Sequence, residues 1–210
     1  MKSILCYGDS NTWGHEPTLQ RRLSRYERWP GVLQQTLGPD YYVIEEGLGG
    51  RTTVFEDDLL PYRNGRTYLY PCLETHKPLD LVIIMLGTND LKARFSASAL
   101  DIARGAGALV QIVQHSMAGI DGGAPRVLLV CPPPFASLEG KPQAESFAGA
   151  EEKSRRLAGH YRQIAAELGC DFLDAGEVIV SSAVDGFHLD ASEHLKLGRK
   201  IAEIVREILG

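Results

Sequence analysis

Leu81-Val82-Ile83-Ile84-Met85-Leu86 contains no polar residue, and Gly87-Thr88-Asn89-Asp90 follows it at once. A strand with one face in water alternates apolar and polar residues. An unbroken short apolar run ending in a turn fits a strand covered on both faces, as in a parallel sheet between two helical layers. The run therefore asks the rest of the chain for helices on both sides and for further buried strands.

The chain supplies them in alternation. Ser3–Tyr7, Tyr41–Ile44, Leu81–Leu86, Val127–Cys131 and Phe172–Leu173 read as five strands. Trp29–Leu37 reads as a helix with Pro30 near its start, where a missing N–H is harmless. Leu100–Met117 and Ser154–Leu168 follow, the second stopped by Gly169. A last helix from about Ser192 places Ile201, Ile204, Val205 and Ile208 on one face. The β-α-β-α order predicts a three-layer α/β/α sandwich around a five-stranded parallel sheet, with residues 1–210 as one domain. Arg51–Lys77 and Pro132–Gly149 read as long irregular stretches, both after strands. Both would hang over the carboxyl edge of the sheet, where ligands of such folds bind.

Function classes narrow next. A net charge of −5 without a basic stripe argues against nucleic acid as a partner. No apolar run reaches the ~18 residues of a membrane span, and the N-terminus lacks the pattern of a signal peptide. Cys6, Cys72, Cys131 and Cys170 are scattered, so the chain reads as a reduced, cytoplasmic protein without a zinc site. The cluster Arg21, Arg22, Arg25 and Arg28 reads as a solvated, partner-facing segment. His76, His115, His160 and His194 have no motif around them and read as surface or capping residues.

The residues just past the strands carry the chemistry. They are Gly8-Asp9-Ser10, Gly47-Leu48-Gly49-Gly50-Arg51, Gly87-Thr88-Asn89-Asp90 and, before the last helix, Asp185-Gly186-Phe187-His188. Parallel topology brings all four to one rim. A serine hydroxyl is a poor nucleophile unless a base adjoins it. His188 can be that base, with Asp185, three residues earlier, orienting the imidazole. Asp174 is a rival for the acid, a loop further from His188. The N–H groups of Ser10 and Gly50 and the amide of Asn89 are candidate donors to an oxyanion. Each piece alone is weak: average composition puts Gly-Asp-Ser in roughly one chain in twenty of this length. The four blocks in order, each after a strand, are much harder to obtain by chance.

These blocks resemble the four blocks of the SGNH, or GDSL, hydrolases. ILCYGDSNTWG, VIEEGLGGRTT, LDLVIIMLGTND and DAGEVI…VDGFHLD are similar to the arylesterase and acyltransferase (perhydrolase) branch of that family. The resemblance spans nearly the whole chain. It implies a flavodoxin-like fold and a Ser10–His188–Asp185 triad. It further implies an oxyanion hole from Ser10, Gly50 and Asn89, no metal or other cofactor, short-acyl ester substrates and a homo-oligomer. Gly49-Gly50 departs from the expected small non-glycine residues and alters the oxyanion loop.

Trp13, His15, Phe135 and Phe187 are the candidate substrate-binding residues, and Trp13 reads equally as core beneath the first helix. Asp9 and Asp90 read as loop braces. The functional expectation is a serine esterase for short acyl or aryl esters, working through an acyl-enzyme, with acyl transfer or perhydrolysis as a further activity. Its rivals are a phosphate-binding module, a metal hydrolase using Asp9, Asp90 and His188, and a binding protein without activity. Arg21–Arg28, with Tyr26 and Trp29, and Arg51–Lys77 are the expected contacts to a neighbouring subunit.

Overall fold

A computed structural model describes residues 1–210. Its sheet is built from β1 (Lys2–Gly8), β4 (Tyr41–Gly47), β5 (Leu81–Met85), β6 (Arg126–Cys131) and β7 (Asp171–Asp174). All neighbours pair in parallel, in the order β4-β1-β5-β6-β7. Taken in chain order this is the 2-1-3-4-5 arrangement of flavodoxin-like folds. The apolar run occupies the centre. Val82 and Ile84 enter one core with Leu5, Tyr7 and Leu129, whereas Leu81, Ile83 and Met85 enter the other with Ile4, Cys6 and Leu128. Both sets of alternate residues are buried, which is why the run shows no alternation.

Helices α3 (Gly65–His76), α4 (Ala99–Gln114) and α6 (Leu157–Leu168) cover the first face, and α2 (Trp29–Leu37) and α7 (Ala191–Leu209) the second. Local chemistry sets their ends. Ser98 and Asp101 form a capping box at the start of α4, with Asp101 N–H donating to Ser98 Oγ and Ser98 N–H to Asp101 Oδ2. Gly169 ends α6 in a left-handed conformation.

Three expectations are corrected. Arg51–Lys77 is not irregular throughout, because it contains α3. Pro71 and a mostly exposed surface hide that helix from pattern reading, since only Leu69, Cys72 and Leu73 bury large side chains. Strand β4 runs on through Glu45 and Glu46, which an edge strand tolerates when its charges are paired. The arginine segment is exposed at Arg21, Arg22, Arg25 and Tyr26, as a solvated segment is, while Arg22, Arg25 and Arg28 converge on Glu45 of their own chain and Trp29 is fully buried. A short hairpin of β2 (His15–Glu16) and β3 (Arg21–Arg22) precedes it. Finally, His194 is buried, accepts the Trp29 N–H on Nδ1 at 3.2 Å, and is pushed down to about 3 by burial. His76 faces Glu46 rather than standing alone.

Ile84 sits at the centre of the sheet with no exposed surface. Ile84→Ala should lower unfolding free energy by about 2–5 kcal/mol, because both the transfer of the removed atoms and the cavity count. Urea denaturation measures this. A loss below about 1 kcal/mol would mean that the central strand repacks easily.

Candidate active site

Strand β1 ends at Gly8, and a single helical turn, α1 (Ser10–Trp13), starts two residues later. A Cβ at position 8 would stand 2.0 Å from Thr12 Oγ1 and 2.8 Å from the Met85 carbonyl oxygen, so only glycine lets the turn fold this closely onto the sheet. Asp9 caps the turn by accepting the Asn11 N–H on Oδ1 at 2.9 Å. Burial pushes the Asp9 carboxyl up to about 6, against the pull of that N–H and of His188. Ser10 takes the first helical position, where an N–H has no partner within the helix.

The structure brings Ser10, His188 and Asp185 into one line of hydrogen bonds. Ser10 Oγ is 2.9 Å from His188 Nε2, and His188 Nδ1 is 2.6 Å from Asp185 Oδ2. Asp185 Oδ1 accepts the N–H groups of Phe187 and His188 at 3.2 and 3.0 Å. Burial acts upward on the Asp185 carboxyl, but the His188 ring and these N–H groups outweigh it and hold it below the ordinary carboxylate value. Asp174 does not meet His188; its carboxylate accepts the Gly176 N–H. The loop is fixed from outside as well: Asn11 Nδ2 donates to the Phe187 carbonyl, Ala136 N–H to that of Gly186, and Ser182 N–H to that of His188. Pattern reading missed Asn11; its only signal was adjacency to Ser10.

The second and third loops meet beside Ser10. Gly50 has φ +81°, a conformation that glycine adopts freely, and its N–H donates to no group of the chain. Asn89 Nδ2 donates to the Arg51 carbonyl at 3.2 Å and lies 3.4 Å from Asp9 Oδ2. Arg51, also missed, donates to the carbonyls of Gly8 and Glu46 and lies over the Tyr7 ring, 4.1 Å from its centroid. Asp90 accepts the N–H and hydroxyl of Thr53 and is pushed up to about 6 by burial. These bonds tie the loops that carry Ser10, Gly50 and Asn89 to one another.

The aromatic residues fall into layers. His15 lies against His188, with ring centroids 4.2 Å apart, and burial and the His188 charge hold its pKa down. Phe187 adjoins His188 at 4.4 Å. Phe135 is buried behind Phe187, stacked at 5.5 Å and joined by Phe147, so it backs the site rather than forming an open wall. Trp13 is half-buried, with the Arg22 guanidinium over its ring at 5.1 Å. A cavity of about 630 Å³ opens on the other flank of the Gly47–Gly50 turn, lined by Glu46, Leu48, Arg51 and Tyr68 among others but not by Ser10 or His188.

Metal ligation at the rim is limited. His15, Asp185 and His188 offer atoms within 4.8 Å of one another, but both nitrogens of His188 are already engaged. Asp9 and Asp90 are bonded to Asn11, Asn89 and Thr53 and do not meet His188 in a ligand cluster. No helix is long and apolar enough to cross a membrane.

The model of the GDSL-like lipase/acylhydrolase family matches residues 6–197. Among solved structures, the aryl esterase of M. smegmatis is 46% identical over 100% of both chains, with a TM-score of 0.95. Est24, a carbohydrate acetylesterase from Sinorhizobium meliloti, is 41% identical over 100% of both chains, also at 0.95. A putative arylesterase from Agrobacterium tumefaciens is 44% identical over 100% of both chains, at 0.91. No curated protein matches the sequence.

Asp90 gives the rim a specific pH signature. Its folded value of about 6 lies above the ordinary 3.8. The folded state therefore binds the proton more tightly than the unfolded one. The contribution of Asp90 to stability is greatest below about 3.8 and falls as pH rises toward 6. Asp90→Asn should remove that part of the pH dependence. Urea midpoints of the two proteins across this window measure it, and parallel profiles would mean that Asp90 ionises as freely folded as unfolded.

Proposed function

From the premise that the chain belongs to the GDSL-like lipase/acylhydrolase family and is a carboxylic ester hydrolase, we propose that Ser10 is its nucleophile, His188 its general base and Asp185 the acid that orients the base. The hydrogen-bonded line Asp185–His188–Ser10 carries this reading. Ser10 Oγ attacks the ester carbonyl carbon while His188 Nε2 takes the hydroxyl proton. Asp185 holds the other ring proton on Nδ1 and stabilises the imidazolium. The N–H groups of Ser10 and Gly50 and the Asn89 amide receive the oxyanion, Asn89 exchanging its long 3.4 Å bond to Asp9 for the substrate oxygen. Collapse passes the His188 proton to the leaving alcohol and leaves an acyl group on Ser10. Water, activated by the same His188, then releases the acid, and an alcohol or peroxide in its place gives acyl transfer or perhydrolysis. No step in this scheme requires a metal or an organic cofactor.

The acyl side is read as short because Phe187 and His15 both crowd His188. Trp13 is assigned to the same mouth, and Phe135 acts through Phe187. Aryl and acetylated carbohydrate esters are the substrate classes to try first, following the names of the similar structures. The free thiols suit a cytoplasmic protein. The phosphate-binding reading loses support because the carboxylate of Asp9 caps the turn where an anion would sit.

A fluorophosphonate probe should label Ser10 and no other residue, as mass spectrometry would show. Ser10→Ala and His188→Ala should each cut turnover by about 10⁴–10⁶-fold, with a combined loss far below the product. Asn89→Ala should slow acylation by about 10²–10³-fold with little change in ground-state binding. A Ser10→Ala enzyme that keeps a tenth of wild-type turnover would remove the nucleophile assignment.

We also propose a homo-oligomer. Leu59, Leu60, Tyr62 and Tyr70 stand exposed along one segment, more apolar surface than scattered single residues explain. Sedimentation should show more than one copy, and Leu59→Glu with Tyr62→Glu should shift the species toward monomer. A wild-type monomer at all concentrations would sink the idea.

A further inference from the structure

Cys72 and His76 lie four residues apart on α3 and so share one face of the helix. That face meets the end of β4. Glu46 Oε1 stands 2.8 Å from His76 Nε2, and the carboxylate oxygen, the imidazole nitrogen and the Cys72 sulfur all lie within 4.8 Å of one another. Cys72 is only 1% exposed, and its sulfur, free of any disulfide, makes no hydrogen bond. Glu46 and His76 pair with each other, but the buried Cys72 thiol beside them has no partner. We propose that Glu46, Cys72 and His76 bind a divalent transition metal ion, zinc foremost, at a site separate from Ser10 and His188.

The donor set selects the metal. Thiolate, imidazole and carboxylate are all zinc ligands, whereas calcium and magnesium take oxygen. Charge favours the same choice. A Cys72 thiolate beside the Glu46 carboxylate places two anions within 4.8 Å of each other, one of them buried. A dication between the two anions turns their repulsion into shared attraction, and its charge balances theirs. Arg51, whose field also reaches Cys72, is committed to the Gly8 and Glu46 carbonyls. On uptake the Cys72 S–H bond breaks, the sulfur keeps the electron pair and donates it to the metal, and the proton leaves to solvent. His76 donates the Nε2 lone pair with its proton on Nδ1, and Glu46 enters as carboxylate. A water from the neighbouring cavity, which Glu46 also lines, fills the fourth position. Tetrahedral bonds of ~2.0–2.3 Å need ligand atoms about 3.3–3.8 Å apart, so the Glu46–His76 pair, 2.8 Å apart, must open to admit the ion. The ion would then staple edge strand β4 to α3 without entering the ester chemistry.

The test uses full-length protein freed of metal with a chelator. Calorimetric titration with zinc should give one ion and about one released proton per chain, with a melting temperature that rises with zinc. Cobalt should give a near-ultraviolet thiolate-to-metal absorption band. Cys72→Ser should abolish the band and weaken zinc by about 100-fold or more, given that even outer-shell partners are worth ~10–100-fold. His76→Gln, at a half-buried position, should weaken zinc likewise, and it decides the matter alone if Cys72→Ser does not fold. Esterase turnover should be equal in the metal-free and zinc-loaded enzyme. Absence of stoichiometric binding, or unchanged binding in His76→Gln, would overturn the proposal. So would zinc inhibition of the esterase with the affinity seen by calorimetry, which would place the ion on His15, Asp185 and His188 instead.

Discussion

The Arg51 guanidinium, 2% exposed, reaches the carbonyl oxygens that end two neighbouring strands, Gly8 of β1 and Glu46 of β4. Its own carbonyl holds the Asn89 amide. One residue, through its side chain and its backbone carbonyl, thus links three loops, those of Ser10, Gly50 and Asn89. A cation can be buried here because two carbonyl oxygens and the rings of Tyr7 and Tyr68 surround it. Without it, carbonyls pointing out of the sheet end would need water, and the turn before Gly50 would lose its anchor.

The same rim concentrates buried carboxyls. Asp9 and Asp90 each hold backbone N–H groups of a loop in place while burial works against their charge. Asp185 is the contrast. It is also buried, yet the His188 ring and two N–H groups hold its carboxyl below the ordinary value. The three share a residue type and an edge of the sheet. What separates a brace from a candidate catalytic acid is whether an imidazole stands opposite.

Much of this was legible in the sequence. The unbroken run Leu81–Leu86 implied a doubly covered strand, and the four post-strand blocks implied one rim, because parallel topology leaves little freedom in where carboxyl ends go. Helix α3 was not legible, since its buried face is narrow and Pro71 interrupts the pattern. His194 and Arg51 were missed for a shared reason. Each is a polar residue whose burial depends on a partner far along the chain, the Trp29 N–H in one case and the ends of β1 and β4 in the other. Periodicity reports which side of an element is apolar, not which polar group a distant backbone will satisfy. Phe135 is almost fully buried and stacks on Phe187, packing that adjacency to a strand end does not reveal.

Ser10 and His188 are 178 positions apart, and their hydrogen bond spans almost the whole chain. Closing such a loop costs entropy that local helix formation does not repay. The first strand must be in the sheet, and the segment before α7 must have docked onto Asn11, Ala136 and Ser182, before the hydroxyl meets the imidazole. Recovery of turnover after dilution from denaturant is therefore a late clock. It records the joining of the two chain ends, while far-ultraviolet circular dichroism records the earlier gain of helix and sheet. During synthesis on the ribosome Ser10 is made 178 residues before His188, so its hydroxyl has no imidazole beside it until that later segment has been made and docked.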